Sequence, residues 1–326
     1  MLYLGNILNN LNYKLVLVFI YSLFATFVAA EYLYRKFRKK GFTVVDMYKK
    51  NKPHITNLGG VAALVGVMIA IVLAQILVKE FSTANLLIFY FIVIINASFG
   101  LIDDLISINN TLKIIAPYFM ALPIALLVSD VRIGPWPISM GVLFVYFIAP
   151  IYILVVTNLV NTHSGYNGLA SGLSWIIMLT MAIRTIIMGD IEKLFFLVPV
   201  FGALSVLIFF DRYPAKAIWG NVGSMMMGSA IGAYLIVTNT EIFGIIILFP
   251  HIVDFILYLY GTFIKKEKFE KVKFGKIRED GTIIPPTKYK LKFLLPYYFR
   301  LNEKQTTWIL YGITALFCVI GLVVGV

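Results

Sequence analysis

The stretch ANLLIFYFIVIINASFGLIDD, residues 84–104, decides what kind of protein this is. From Ala84 to Ile102 it carries no charge, and only Asn85, Asn96 and Ser98 break the apolar and aromatic run. A helix of about 20 such residues, rising about 1.5 Å each, crosses the roughly 30 Å of hydrocarbon in a bilayer. The run is continuous and not alternating, which excludes a membrane β-barrel strand. It ends on two adjacent acids, Asp103 and Asp104, at the expected membrane boundary.

Nine further stretches pass the same test, at 12–30, 58–79, 113–130, 139–160, 169–188, 194–210, 220–239, 241–261 and 307–326. The first has no small-residue cleavage site and runs into a basic stretch, so it reads as an anchor. Residues 1–326 are therefore expected to form a single polytopic unit, an all-α integral membrane protein of about ten transmembrane helices. The composition agrees: 60% of the 326 residues are apolar and 13% are charged, against roughly 25% charged in soluble domains. The only cysteine, Cys318, excludes a disulfide framework and a cysteine-based metal cluster. The sizeable polar excursion is the loop 262–306, where KVKFGKIREDGTIIPP (271–286) predicts a small β-hairpin turning at Asp280-Gly281.

Charge sets the expected orientation. Of the 28 Lys and Arg, 23 fall between alternate spans: eight in the first loop, then Lys113, then Arg212 and Lys216, then twelve in 262–306. Lys14, Lys79, Arg132 and Lys193 flank the other side, and Arg184 lies within a span. The positive-inside rule makes the crowded side cytoplasmic and puts both termini outside. The net charge of +12 is thus mainly a topology signal and not a nucleic-acid footprint.

The unusual polar groups gather on that same side. The Asp103-Asp104 pair repels itself unless a cation or proton intervenes, and Lys113 is close enough in sequence to supply one. The segment TNLVNTHSGYNGLASG (157–172) puts Asn158 and Asn161 on one helical face, then adds Asn167 and Gly168 in a glycine-rich turn. GNVG (220–223) opens the next-but-one span, and a helix start offers free N–H groups to an anion. Gly223, Gly228 and Gly232 of the same span read equally well as close helix packing, and the two readings can hold together. Asp254 lies within FPHIVDFILYLY (249–260), and Lys271, Lys273 and Lys276 stud the long loop.

Taken in order, KPHITNLGG, the Asp pair, the Asn/Gly loop, the Gly-Asn helix start and the long loop resemble the polyprenyl-phosphate N-acetylhexosamine-1-phosphate transferase superfamily over nearly the whole chain. Where bacterial cell-wall members carry aspartates in the Asn/Gly loop, this sequence has Ser164 and Asn167. It is thereby similar to the branch that includes the UDP-GlcNAc–dolichyl-phosphate GlcNAc-1-phosphate transferases, and its compactness resembles an archaeal member. The resemblance implies transfer of a sugar-1-phosphate, GlcNAc-1-phosphate first among candidates, from a UDP-sugar to a polyprenyl or dolichyl phosphate. Its partners are then a UDP-sugar, the lipid phosphate and membrane lipid, with room for a homodimer and none for nucleic acid.

The resemblance also implies roles. Asn161 and Asn221 hold Mg²⁺, with Mn²⁺ as an alternative. Asp103 and Asp104 order the metal's water and the acceptor phosphate, which Lys113 pairs. Asn167 and Gly168 bind uridine, Asn158 and Asp254 line the substrate, and Lys271, Lys273 and Lys276 cover the diphosphate and sugar. Two departures stand out. The family's Gly-Asp pair is Gly220-Asn221 here, with Asp254 a candidate to restore the missing carboxylate. Lysines also stand where the related loop uses arginines. A transporter or flippase, or a non-catalytic lipid-sugar-binding subunit, are the rival readings.

Overall fold

The computed structural model describes residues 11–77, 83–128, 141–269 and 274–324. Lys79, Arg132, Lys271 and Lys273 lie outside the described residues, as do the ends of the expected spans at 78–79, 129–130, 139–140 and 325–326. The helices in chain order are α1 (Leu11–Lys39), α2 (Gly59–Leu77), α3 (Thr83–Ile106), α4 (Asn110–Ala121), α5 (Gly141–Thr162) and α6 (Leu169–Ile187). There follow α7 (Leu194–Asp211), α8 (Gly220–Val237), α9 (Glu241–Ile247), α10 (Phe249–Leu259), α11 (Leu291–Tyr298) and α12 (Glu303–Val324). The protein is an all-α integral membrane protein.

Eight of the ten expected spans are single helices long and apolar enough to cross a bilayer. The other two differ, each with a proline where the helix changes. The span expected over 241–261 is two helices, α9 and α10, bent by 70° at Leu248, with Pro250 in the first turn of α10. Proline lacks an N–H and fits only a first turn without disrupting the ladder. The span expected over 113–130 is a short apolar helix, Thr111–Leu126, whose last five residues tighten into a 3₁₀ turn entered at Pro123. Asn109 starts α4 by accepting the Leu112 N–H at 2.8 Å.

The core centres on α8. Of its apolar window 83% is buried, against 28% for α1 and for α12, whose outward faces carry exposed Phe24, Leu316 and Val319. Small residues allow this. A Cβ on Gly228 would stand 2.7 Å from Thr157 Cα of α5, and one on Gly100 of α3 would stand 2.4 Å from the Asn221 carbonyl oxygen. Close backbone approach replaces a hydrophobic driving force that lipid does not supply. The packing reading of the α8 glycines is therefore correct.

Two antiparallel hairpins join the charged ends of the helices. The expected one pairs β3 (Lys276–Ile277) with β4 (Ile283–Ile284) around Gly281, at φ +83°. Asp280 Oδ1 accepts the Thr282 N–H and hydroxyl at 3.0 and 2.7 Å, which holds its carboxyl below the usual range. The second hairpin has no counterpart in the sequence reading. Here β1 (Thr43–Val45) pairs with β2 (His54–Thr56), and Thr56 bridges onward to Ala217. Thr56 O accepts Ile218 N–H at 2.9 Å, and Gly59 N–H reaches Ile218 O at 2.9 Å. The first basic loop is thereby fixed beside the start of α8.

Candidate active site

A cavity of about 330 Å³ opens where α3 and α5 end and α8 begins, beside the β1–β2 hairpin. Asp104, Asn161, Asn167 and Asn221 all line it, so residues from three distant motifs meet there.

Asp103 and Asp104 relieve their mutual repulsion by facing different partners. Asp103 is buried, and its Oδ1 takes Lys113 Nζ at 2.8 Å and Ile108 N–H at 2.9 Å. Its Oδ2 accepts the Asn221 side-chain N–H at 2.8 Å. Asp104 instead caps α8: Oδ1 accepts Asn221 N–H and Oδ2 accepts Val222 N–H, both at 3.1 Å. Trp219, the residue preceding α8, provides no side-chain cap, so a carboxylate from α3 fills that role across the fold. The helix start read as a substrate anion site is thus occupied by the protein's own carboxylate.

Asn161 at the end of α5 joins the same group, its Oδ1 accepting the Ser224 hydroxyl of α8 at 2.7 Å. Asn221 and Ser224 are three residues apart on α8, hence neighbours on one face. The result is a continuous chain from Lys113 through Asp103 to Asn221, with Asn161 one turn away. Asp211, at the end of α7, also lines the cavity and accepts the Ser171 hydroxyl at 2.6 Å.

The remaining expected residues divide between the cavity wall and places away from it. Asn158 donates to Leu154 O at 2.9 Å within its own helix and does not line the cavity. Asn167 lies on the cavity wall with its Oδ1 occupied by Ala215 N–H at 3.0 Å. Gly168, at φ +73°, starts α6, and its carbonyl accepts the Tyr311 hydroxyl. Asp254 is buried away from the cavity lining, its Oδ1 accepting Leu291 N–H at 2.6 Å. Lys276 is exposed on β3 and lines no part of the cavity, although Phe274 does. Asp46, Tyr48, Asp211, Trp219 and Ser224 line it without having been singled out from sequence.

Among the described residues, no three His, Cys, Asp or Glu side chains converge to hold a metal ion. The cavity's ligand candidates are carboxylate and amide oxygens of Asp104, Asn161 and Asn221. That donor set suits a hard cation taking one or two protein groups and completing its shell from phosphate and water, the habit of Mg²⁺.

Within the Asn/Gly loop, His163 is fully buried against His251, ring centroids 4.7 Å apart and nearly perpendicular. Burial, with Lys292 and Lys290 nearby, pushes the His163 imidazole down to about 3 from its usual 6.5. Because the unfolded chain binds this proton and the folded one does not, His163 costs nothing above pH 6.5 and destabilises progressively as pH falls from there toward 3. The expected outcome is a melting temperature that drops across that window. His163→Phe, which keeps the ring contact and removes the proton site, should flatten the drop.

The sequence profile described as glycosyl transferase family 4 matches residues 86–239. A protein of Saccharolobus solfataricus that bears the name UDP-N-acetylglucosamine–dolichyl-phosphate N-acetylglucosaminephosphotransferase by assignment is 27% identical over 95% of this chain and 96% of its own. An undecaprenyl-phosphate N-acetylglucosaminyl 1-phosphate transferase of Bacillus subtilis is 24% identical over 95% and 85%. A phospho-N-acetylmuramoyl-pentapeptide-transferase of Clostridium beijerinckii is 33% identical, but over 34% of this chain and 33% of its own. The matched profile runs from α3 to the end of α8, the helices that build the cavity, so the similarity to glycosyl transferase family 4 covers the part of the chain where the site lies, and the similarity to the two sugar-1-phosphate transferases extends over nearly all of it.

Proposed function

We propose that this protein transfers N-acetylglucosamine-1-phosphate from UDP-GlcNAc to a dolichyl or related polyprenyl phosphate, releasing UMP, as the first step of lipid-linked oligosaccharide assembly for N-glycosylation. The observation that carries the reading is the meeting of Asp104, Asn161 and Asn221 in one cavity, with Asp103 and Lys113 joined to it. The basic loops face the cytoplasm and both termini face outward in this reading, following the positive-inside rule.

The reaction's obstacle is charge, because an anionic lipid phosphate must approach an anionic diphosphate. At an effective dielectric near 20, two unit charges about 3.5 Å apart repel by about 4–5 kcal/mol. An acceptor phosphate oxygen attacks the sugar-bearing phosphorus, the bond to the UMP oxygen breaks, and its electron pair leaves with UMP. The acceptor is mostly dianionic at neutral pH, so no strong base is required. Lys113 would meet the acceptor phosphate, held in place by Asp103. Asn161 and Asn221 would hold Mg²⁺, which when bound neutralises diphosphate charge. Asn167 would orient the nucleotide, and Lys271 and Lys273 would supply positive charge for the diphosphate.

Purified protein supplied with UDP-[¹⁴C]GlcNAc, dolichyl phosphate and Mg²⁺ should yield labelled lipid and equimolar UMP. No labelled lipid across a panel of metals and UDP-sugars would reject the reading in favour of transport or simple binding. Asn221→Asp puts a second carboxylate against Asp103 Oδ2, a contact that only a cation or a proton relieves. Mg²⁺ should therefore raise the melting temperature of that variant more than that of the wild type, and half-saturate turnover at lower concentration. Asp254→Asn, outside the cavity, should add its effect independently; a marked departure from additivity would favour an exchanged carboxylate.

A further inference from the structure

We propose that Lys49 and Glu303 form a buried latch that positions the nucleotide side of the cavity, a role that rests on the transfer reaction above. Neither side chain lines the cavity, yet both hold groups that do. The Lys49 ammonium is buried, lies 3.2 Å from Asp46 Oδ2, contacts Glu303 Oε2, and sits 4.1 Å from the centre of the Tyr213 ring. The other Glu303 oxygen, Oε1, accepts the Asn167 backbone N–H at 2.7 Å, and Asn167 Oδ1 in turn accepts Ala215 N–H at 3.0 Å.

One lysine thus ties together four segments that share no secondary structure: the loop after β1, the Asn/Gly loop, the loop before α8, and the first turn of α12. Asp46 and Asn167 both line the cavity, and each reaches the latch through a different carboxylate, Asp46 through its own and Asn167 through that of Glu303. A buried ion pair is worth little as bulk stabilisation, because desolvation offsets much of its attraction. Its value here is directional. Glu303 fixes a backbone N–H and, through it, the side chain whose amide borders the nucleotide region. The acceptor side, built on Asp103 and Lys113, has no member in this network, so a loosened latch should disturb one substrate and spare the other.

The test is a comparison of KM and kcat for the two substrates. Glu303→Gln and Lys49→Met should each raise KM for UDP-GlcNAc about tenfold, with KM for dolichyl phosphate changed by less than about twofold. Lys49→Arg, which keeps the cation, should restore most of the lost affinity. The double variant Lys49→Met/Glu303→Gln should be no worse than the poorer single, since each change already opens the same latch. Equal losses for both substrates, or unchanged KM values with only a lower melting temperature and active fraction, would overturn the positioning role. So would strictly additive effects in the double variant. A wild-type protein that makes no labelled lipid fails the functional reading itself, which is a different result from an active wild type whose variants keep their KM.

Discussion

Replacement of Asp104 by asparagine is expected to lower the rate of lipid labelling by about 10²–10³-fold, the scale set by removing one preorganised electrostatic group from an active site. The fold should persist, because asparagine retains an oxygen acceptor for one of the two α8 N–H groups that Asp104 now holds at 3.1 Å. Asp104→Ala removes both acceptors and should cost, in addition, about 1 kcal/mol of stability for the lost cap. The pair of variants separates the two duties of this carboxylate. An asparagine variant with near wild-type turnover would reduce Asp104 to a helix cap and remove the cavity's charge from the mechanism. Melting curves of both variants, read beside their rates, check the assignment.

Gly100→Ala is expected to be a severely damaging single-methyl addition. Its Cβ would stand 2.4 Å from the Asn221 carbonyl oxygen, 2.7 Å from the carbonyl carbon and 2.9 Å from Val222 N. These are backbone atoms, so no side-chain rotation makes room, and α3 must move off α8. Alanine is a better helix former than glycine by up to about 1 kcal/mol, while overpacking a tight contact costs about 1–3 kcal/mol or more. The clash wins. The displacement also pulls Asp104 from its two N–H donors and Asp103 from Asn221, so stability and turnover should fall together. Gly312→Ala in α12, where a new Cβ meets nothing within 4 Å, is the control and should leave both unchanged. If Gly100→Ala behaves like that control, the α3–α8 contact does not govern the site.

Much of this architecture is legible in the sequence because lipid imposes a coarse and strict rule. Long uncharged runs must be helices with their backbone groups satisfied internally, and eight of the ten runs are single spanning helices. The bend at Leu248 was legible too, in Pro250, but hydropathy alone read through it. The Asp103-Asp104 pair stood out only in company: alone it reads equally well as a solvated helix end, and the motifs that follow in order gave it weight. The division of labour between the two acids was not legible, since which acid caps α8 depends on where α3 crosses it.

Asp46, Lys49 and Glu303 stayed hidden for the opposite reason. Near a basic membrane face, a charge that fixes orientation and a charge buried in a latch look the same in sequence. Three-residue strands such as β1 and β2 are likewise too short for periodicity to register. Asn158 was placed correctly on its helix, but its amide bonds back to Leu154 O, a local alternative open to polar side chains at any helical position.

The latch has a consequence for biosynthesis. Lys49 meets a partner 254 residues downstream, so a ribosome must deliver nearly every membrane helix before that ammonium finds its second carboxylate. Until α12 leaves the translocon, a nascent chain carries the Asn/Gly loop without its anchor. The nucleotide side of the cavity therefore takes its final shape late in synthesis, after the helices that frame the acceptor side are already in place.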